Sequence, residues 1–302
     1  MRLLEREDND EFSLTEDLDT NISDYAILSH TWGDGDQEVT YKDIVEGSGK
    51  SKAGYQKIRF CGEQATRDGL RYFWVDTCCI NKTDAVELQK SINSMFRWYK
   101  NAAKCYVYLS DVSMLEVEND SNLDLESALR TAKWFTRGWT LQELLAPSSV
   151  EFFSADYKRL GDKLSFERLI HEKTRVPVEV LQGYDLMKFS VDERVSWVAG
   201  RETKHEEDMA YSLLGIFGIF LPLIYGEGRE NAFRRLREEV NKSVKSHEFD
   251  NLPKSGIENH PRFTVPFVRD PKFVGREDVM QEITSRLQVQ RRIALCGIGG
   301  IG

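Results

Sequence analysis

The sequence predicts an α/β fold: an open, mostly parallel sheet with flanking helices, followed by a helical segment. Three observations lead there. Short aliphatic runs alternate with amphipathic helical stretches through the first half of the chain, and parallel neighbours need a long crossover that a helix supplies. Each run is bounded by turn residues, and strand signals fade beyond residue 160 while helical spacing continues. The first run, residues 25–29 (YAILS), is bounded by TWGDGD and reads as a buried strand. Residues 54–67 place Tyr55, Ile58, Cys61 and Ala65 at three- and four-residue steps, which gives a helix. A second strand at 72–76 (YFWVD) leads to a helix over 87–104 with Leu88, Ile92, Met95, Phe96 and Tyr99 on one face, and a third strand follows at 105–109 (CYVYL). Past an acidic, loop-like stretch at 116–126, Gly138 opens a helix in WFTRGWTLQELLA that Pro147 stops, and 149–154 (SVEFFS) reads as a fourth strand. Segments 163–173, 191–200, 207–217 and 227–245 carry helical spacing.

This divides the 302 residues into an α/β domain at 1–160, a helical extension at 161–245, a linker at 246–270 rich in turn formers, and the incomplete start of another domain at 271–302. Composition excludes other classes. With 41 basic and 50 acidic residues the net charge is −9, and no run of Lys and Arg stands out to neutralise phosphates, so nucleic acid is not expected as a partner. The first ten residues lack an apolar core segment, so no secretory signal is expected and the compartment is the cytoplasm. Five cysteines, with Cys78 and Cys79 adjacent, form no CxxC pair, and the five histidines are scattered singly, so neither disulfides nor a metal site is expected. Residues 209–226 carry no formal charge and reach the lower edge of a membrane-spanning length. Gly215, Gly218 and Pro222 interrupt them, which favours a buried helix followed by a turn over membrane insertion.

In an open parallel sheet, ligands bind beyond the carboxyl ends of the strands. The first strand runs out into Ser29, His30, Thr31 and Trp32, the second into Asp76 and Thr77, the third into Ser110 and Asp111. A helix opened by Gly138 that crosses the top of the sheet would bring Arg137, Trp139 and Glu143 to the same edge, making a pocket lined by aromatic, acidic and basic groups. Each residue also has a plainer role: His30 bonded to a carbonyl, Asp76 capping a turn, Trp32 and Trp139 packing as core aromatics. Glu143 stands between Leu141 and Leu144 and is either a solvated helix-face carboxylate or one whose desolvation raises its pKa toward acid or base work. Near the end, residues 293–296 lead into Gly297, Gly299, Gly300 and Gly302. This fits the opening of a phosphate-cradling GxxxxGK[ST] loop and equally GxGxxG, and it stops where the Lys and Ser or Thr of the former would stand.

Three blocks, YAILSHTWG from Tyr25, YFWVDTCCINK from Tyr72 and RGWTLQELLAP from Arg137, resemble the HET domain, the heterokaryon-incompatibility module of filamentous fungi. The stretch from Arg201 through DMAYSLLGIFGIFLPLIYGEG looks like the helical segment that follows this module, so the resemblance covers roughly residues 1–245. FVGRE from Phe273 followed by GIGGIG resembles the start of a signal-transducing ATPase of NB-ARC or NACHT type. The resemblance implies programmed cell death on sensing non-self, self-association through the adjoining ATPase with ATP or GTP and Mg as its ligands, partner proteins of incompatibility signalling, and no cofactor in the HET domain itself. HET domains look distantly related to TIR domains, which implies a TIR-like (flavodoxin-like) sheet. The TIR pattern of a tryptophan shortly before Glu-Leu is similar to Trp139, Glu143 and Leu144, although Thr140 stands where many plant TIR sequences carry cysteine. Carried over, it makes Glu143 the carboxylate that supports cleavage of the nicotinamide glycosidic bond of NAD. Trp32 or Trp139 would then stack on a ring, His30 and Arg137 would touch phosphate or ribose, and Asp76 would line the same strand edge. The alternatives are a non-enzymatic interaction scaffold and membrane permeabilisation by residues 209–226.

Overall fold

One sheet holds seven strands: β1 Leu4–Arg6, β2 Phe12–Leu14, β3 Tyr25–His30, β4 Tyr72–Trp74, β5 Lys104–Tyr108, β6 Val150–Phe153 and β7 Arg159–Asp162, in the order β2-β1-β4-β3-β5-β6-β7. The computed structural model describes residues 1–7, 11–18, 22–115 and 124–250, with side chains through residue 243. Strands β4, β3, β5 and β6 are mutually parallel, whereas β1, with β2 beyond it at the edge, and β7 at the other edge join antiparallel. Counted along the parallel strands, the order is second, first, third, fourth. This is the order of a doubly wound, flavodoxin-like sheet, whose connections reverse direction between β3 and β5.

Both faces are covered, and the alternation of side chains decides what meets what. On one face, the Phe60 ring of α2 (after α1 Tyr41–Glu46, α2 is Tyr55–Arg67) packs within 6.5 Å of the rings of Tyr106, Tyr108 and Phe153. On the other lie α3 (Ala85–Asn101), α4 (Leu125–Thr131) at the margin, and α5 (Thr140–Leu145). There Trp74 packs edge-on against Trp98 and Tyr99, and the Tyr99 hydroxyl donates to the Leu28 carbonyl at 2.9 Å. All six residues of β3 are buried, as a central strand covered on both sides requires, and each large apolar side chain so buried contributes roughly 1.5–3 kcal/mol.

The expected elements appear with shifted ends. Asp84 caps α3 by accepting from the Val86 and Glu87 amides, so this helix starts two residues before the apolar spacing does. It ends at Asn101 because Ala103 donates to the Tyr25 carbonyl at 3.0 Å and Lys104 already belongs to β5. Strands β1, β2 and β7 lie outside the sequence expectation. Three or four residues are too few to show alternation, and the pairing that joins β1 to the parallel strands, Leu4 opposite Phe73, is long-range.

After β7 come α6 (Glu167–Thr174), α7 (Val178–Leu181), α8 (Val191–Ser196), α9 (Asp208–Tyr211), α10 (Leu214–Phe217) and α11 (Arg229–Asp250). The single helix expected over 207–217 is thus two short ones, closed by Gly218 at φ +67°. A Cβ on Gly215 would lie 2.0 Å from Phe96 Cβ, so only glycine lets α10 approach α3 this closely. Among the described residues no helix is long and apolar enough to cross a membrane. The expected linker at 246–270 begins inside α11, because that helix continues through Asp250. The rest of the linker, the segment at 271–302 and the glycines Gly297, Gly299, Gly300 and Gly302 lie outside the described residues. Residues Met1–Asn251 form one compact unit, so the segments on either side of residue 160 belong to the same body.

Candidate functional site at the carboxyl edge of the sheet

Ser29 and His30 end β3 and, as neighbours in a strand, point to opposite faces. The His30 imidazole, its side chain only 2% exposed, meets Asp76 with Nε2 2.9 Å from Oδ1. The other Asp76 oxygen accepts from Trp32 Nε1 at 2.8 Å and lies 3.7 Å from Lys82 Nζ. Lys82 Nζ also sits 3.7 Å from the centroid of the Trp32 ring, which is 50% exposed. Burial works against ionisation of Asp76, but Lys82, His30 and Trp32 outweigh it and hold the carboxyl far below the usual carboxylate range. Burial lowers the pKa of Lys82, opposed by the Asp76 charge. Beside them Thr31 and Ser110 bring their hydroxyls within 3.3 Å, at the point between β3 and β5 where the connections reverse.

Glu143 occupies the other face. It is 7% exposed, and its carboxyl accepts from the Ser29 hydroxyl, which in turn accepts from Trp134 Nε1 at 2.8 Å. Its pKa is raised to about 8, chiefly by desolvation with the Asp76 charge acting the same way, while hydrogen bonding with Ser29 and Tyr99 and the charge of Arg201 pull it down. At neutral pH Glu143 is therefore mostly a protonated acid, and Asp76, on the same edge, is an anion. The guanidinium of Arg201 is buried, donates to the Arg137 carbonyl at 2.7 Å and to Thr140 Oγ1 at 2.9 Å, and loses basicity to about 10 through burial, partly offset by Glu143.

The structure brings His30, Trp32 and Asp76 together as the strand-end argument expects. Glu143 is near them electrostatically but is not in an open pocket with them, because α5 lies against the face of the sheet rather than over its top. Arg137 contributes its backbone: its carbonyl receives Arg201, and it bridges to Glu202. Trp139 turns toward Asp208, whose carboxyl burial raises and whose other partner is Tyr225 at 3.0 Å. Sequence reasoning missed Lys82, Tyr99, Trp134 and Arg201. Lys82 does stand inside the block YFWVDTCCINK, whereas Arg201 is more than a hundred residues from β3 and nothing local announces its contact. A cavity of about 510 Å³ lies elsewhere, between α4 and α6, lined by Leu125, Leu129, Phe166 and Arg168 among others, and contains none of the expected site residues.

The fold and this edge define a doubly wound α/β domain with two carboxyls of opposite ionisation at the reversal point. Comparison places part of it: residues 25–126 match the family described as Heterokaryon incompatibility protein (HET), so this stretch is a HET domain. The chain is 58% identical over 243 residues to the vegetative incompatibility protein HET-E-1 of Podospora anserina, covering 80% of this chain and 18% of that protein. It therefore spans about a fifth of that curated relative. No solved structure matches the chain.

Proposed function

We propose that this chain carries the effector domain of a fungal vegetative-incompatibility protein, acting in the cytoplasm to trigger programmed cell death on recognition of non-self. The observation that carries this is the 58% identity over 243 residues to a protein named for vegetative incompatibility. Activation by self-association through an ATPase that binds ATP or GTP with Mg continues the reading into the glycine-rich end, together with partner proteins of incompatibility signalling.

Within that role we assign NAD cleavage to the strand edge. Breaking the nicotinamide glycosidic bond releases nicotinamide, leaves an oxocarbenium-like carbon that water captures, and yields ADP-ribose and a proton. A carboxylate beside that carbon stabilises its charge. The support for Glu143 is its place beside the Ser29 hydroxyl at the edge where doubly wound sheets take ligands; with its pKa raised to about 8, it must give up its proton to act as the carboxylate. His30, Trp32 and Asp76 are assigned to substrate contact. A second reading, a non-enzymatic interaction module, is favoured by a specific observation: Glu143 is 7% exposed, and its carboxyl already bonds Ser29. Under the enzymatic reading, α5 or the segment carrying Arg201 must open before substrate arrives.

The test fuses the domain to an oligomerising tag and follows cell death and nicotinamide release together. Glu143→Gln, with an unchanged circular dichroism spectrum, is expected to abolish both. Cell death that persists without nicotinamide release assigns the scaffold reading instead.

A further inference from the structure

Lys82 takes no part in the reading above, yet its surroundings are those of a receptor for a positive charge. The indole of Trp32 presents a negative π face. Its Nε1 is fixed on Asp76, so the ring cannot turn that face away without breaking a 2.8 Å hydrogen bond. Asp76 is anionic, and its two oxygens are held by His30 and Trp32. The Lys82 ammonium lies 3.7 Å from the ring centroid and 3.7 Å from Asp76 Oδ2, so one cation is answered by an aromatic face and a carboxylate together. An aromatic face with an adjacent carboxylate also suits a flat organic cation, which loses less hydration than an ammonium on leaving water. Half of Trp32 remains exposed at the reversal point of the sheet, so such a ligand has a way in.

We propose that Trp32 and Asp76 form a binding site for a planar, positively charged heteroaromatic ring, and that Lys82 is its built-in occupant, which must swing out for the ligand to enter. The site uses the strand-edge reading above for its location only and is independent of any role for Glu143. Lys82 acts as an internal competitor: it lowers affinity for the cation in the resting chain, and whatever draws its ammonium away opens the site.

The experiment titrates the full 302-residue chain by calorimetry with 1-methylnicotinamide, a planar cation, and with nicotinamide, its neutral counterpart. Lys82→Met keeps the bulk of the stem and removes the charge; Lys82→Ala serves if the methionine fills the site. The cation is expected to bind either variant at least about tenfold more tightly than the native chain, and neutral nicotinamide to gain nothing. Adding Trp32→Leu to the Lys82 variant is expected to abolish the gain. Equal affinity of the native chain and both Lys82 variants overturns the competitor role. Binding that survives Trp32→Leu, or nicotinamide binding as well as its cation, overturns the site. Because no turnover is measured, a chain that never cleaves NAD but shows this pattern keeps the receptor and loses only the enzymatic reading.

Discussion

Asp76 and Glu143 sit at the same sheet edge and feel each other's charge, yet they are in opposite states. Asp76 is ionised because Trp32, His30 and Lys82 supply two hydrogen bonds and a cation. Glu143 is mainly neutral because desolvation, helped by the Asp76 charge, outweighs Ser29, Tyr99 and Arg201, whose guanidinium is spent on the Arg137 carbonyl and Thr140. Distance from solvent alone does not set ionisation, since both carboxyls are well covered. The strength of the groups aimed at each one does, since each has two hydrogen-bonding partners and one cation but only those of Asp76 outweigh desolvation.

Among substitutions, the largest expected effect comes from stripping the buried side of its cation. Arg201→Met should destabilise the domain by about 3 kcal/mol in urea unfolding, because the Arg137 carbonyl and Thr140 lose a charged donor. It should also move the Glu143 midpoint above about 8, read by carbon NMR of the carboxyl. Next comes pH. Burial on folding raises Glu143 from its ordinary 4.5 to about 8, so the folded state holds its proton more tightly. That contribution is fully present below pH 4.5 and is lost as pH rises through about 8, at up to ~1.4 kcal/mol per unit. Glu143→Gln should flatten this decline in stability measured from pH 4.5 to 8.

Gly138→Ala attacks the docking that brings Arg201 in. Its Cβ would meet Thr203 Cγ2 at 2.4 Å, so a loss of about 2 kcal/mol in thermal or urea unfolding is expected. On the ionised side, Asp76→Asn should cost about 1.5 kcal/mol at pH 7 by weakening two charge-assisted contacts. Asp76 has its pKa lowered from 3.8, so its stabilisation is present above pH 3.8 and shrinks as pH falls below it, the reverse of Glu143. The gap between native and Asp76→Asn in acid unfolding should therefore close toward low pH. The smallest effect is Trp32→Leu, below about 1 kcal/mol, since the ring is half exposed and gives up its contact with Lys82 and one exposed hydrogen bond to Asp76.

Much of this edge was legible from sequence because strand ends are local features. YAILSH and YFWVD place His30, Trp32 and Asp76 just beyond two neighbouring parallel strands, and helical spacing locates Glu143 among leucines. The pairing of Glu143 with Ser29 rather than with His30 was not legible. It follows from which face of the sheet α5 covers, and adjacent residues in a strand point to opposite faces.

The amino-acid sequence by itself determined the order of the central elements, the apolar runs of β3 to β6 and the polar character of their carboxyl ends, because each depends on spacing within a few turns or pleats. Only the tertiary structure decided that Lys82 lies on Trp32, that Arg201 and residues 201–203 close over α5, and that one carboxyl of the edge is charged and the other is not. Those outcomes depend on desolvation and on donors brought from distant parts of the chain, and neither is a property of any local stretch of sequence.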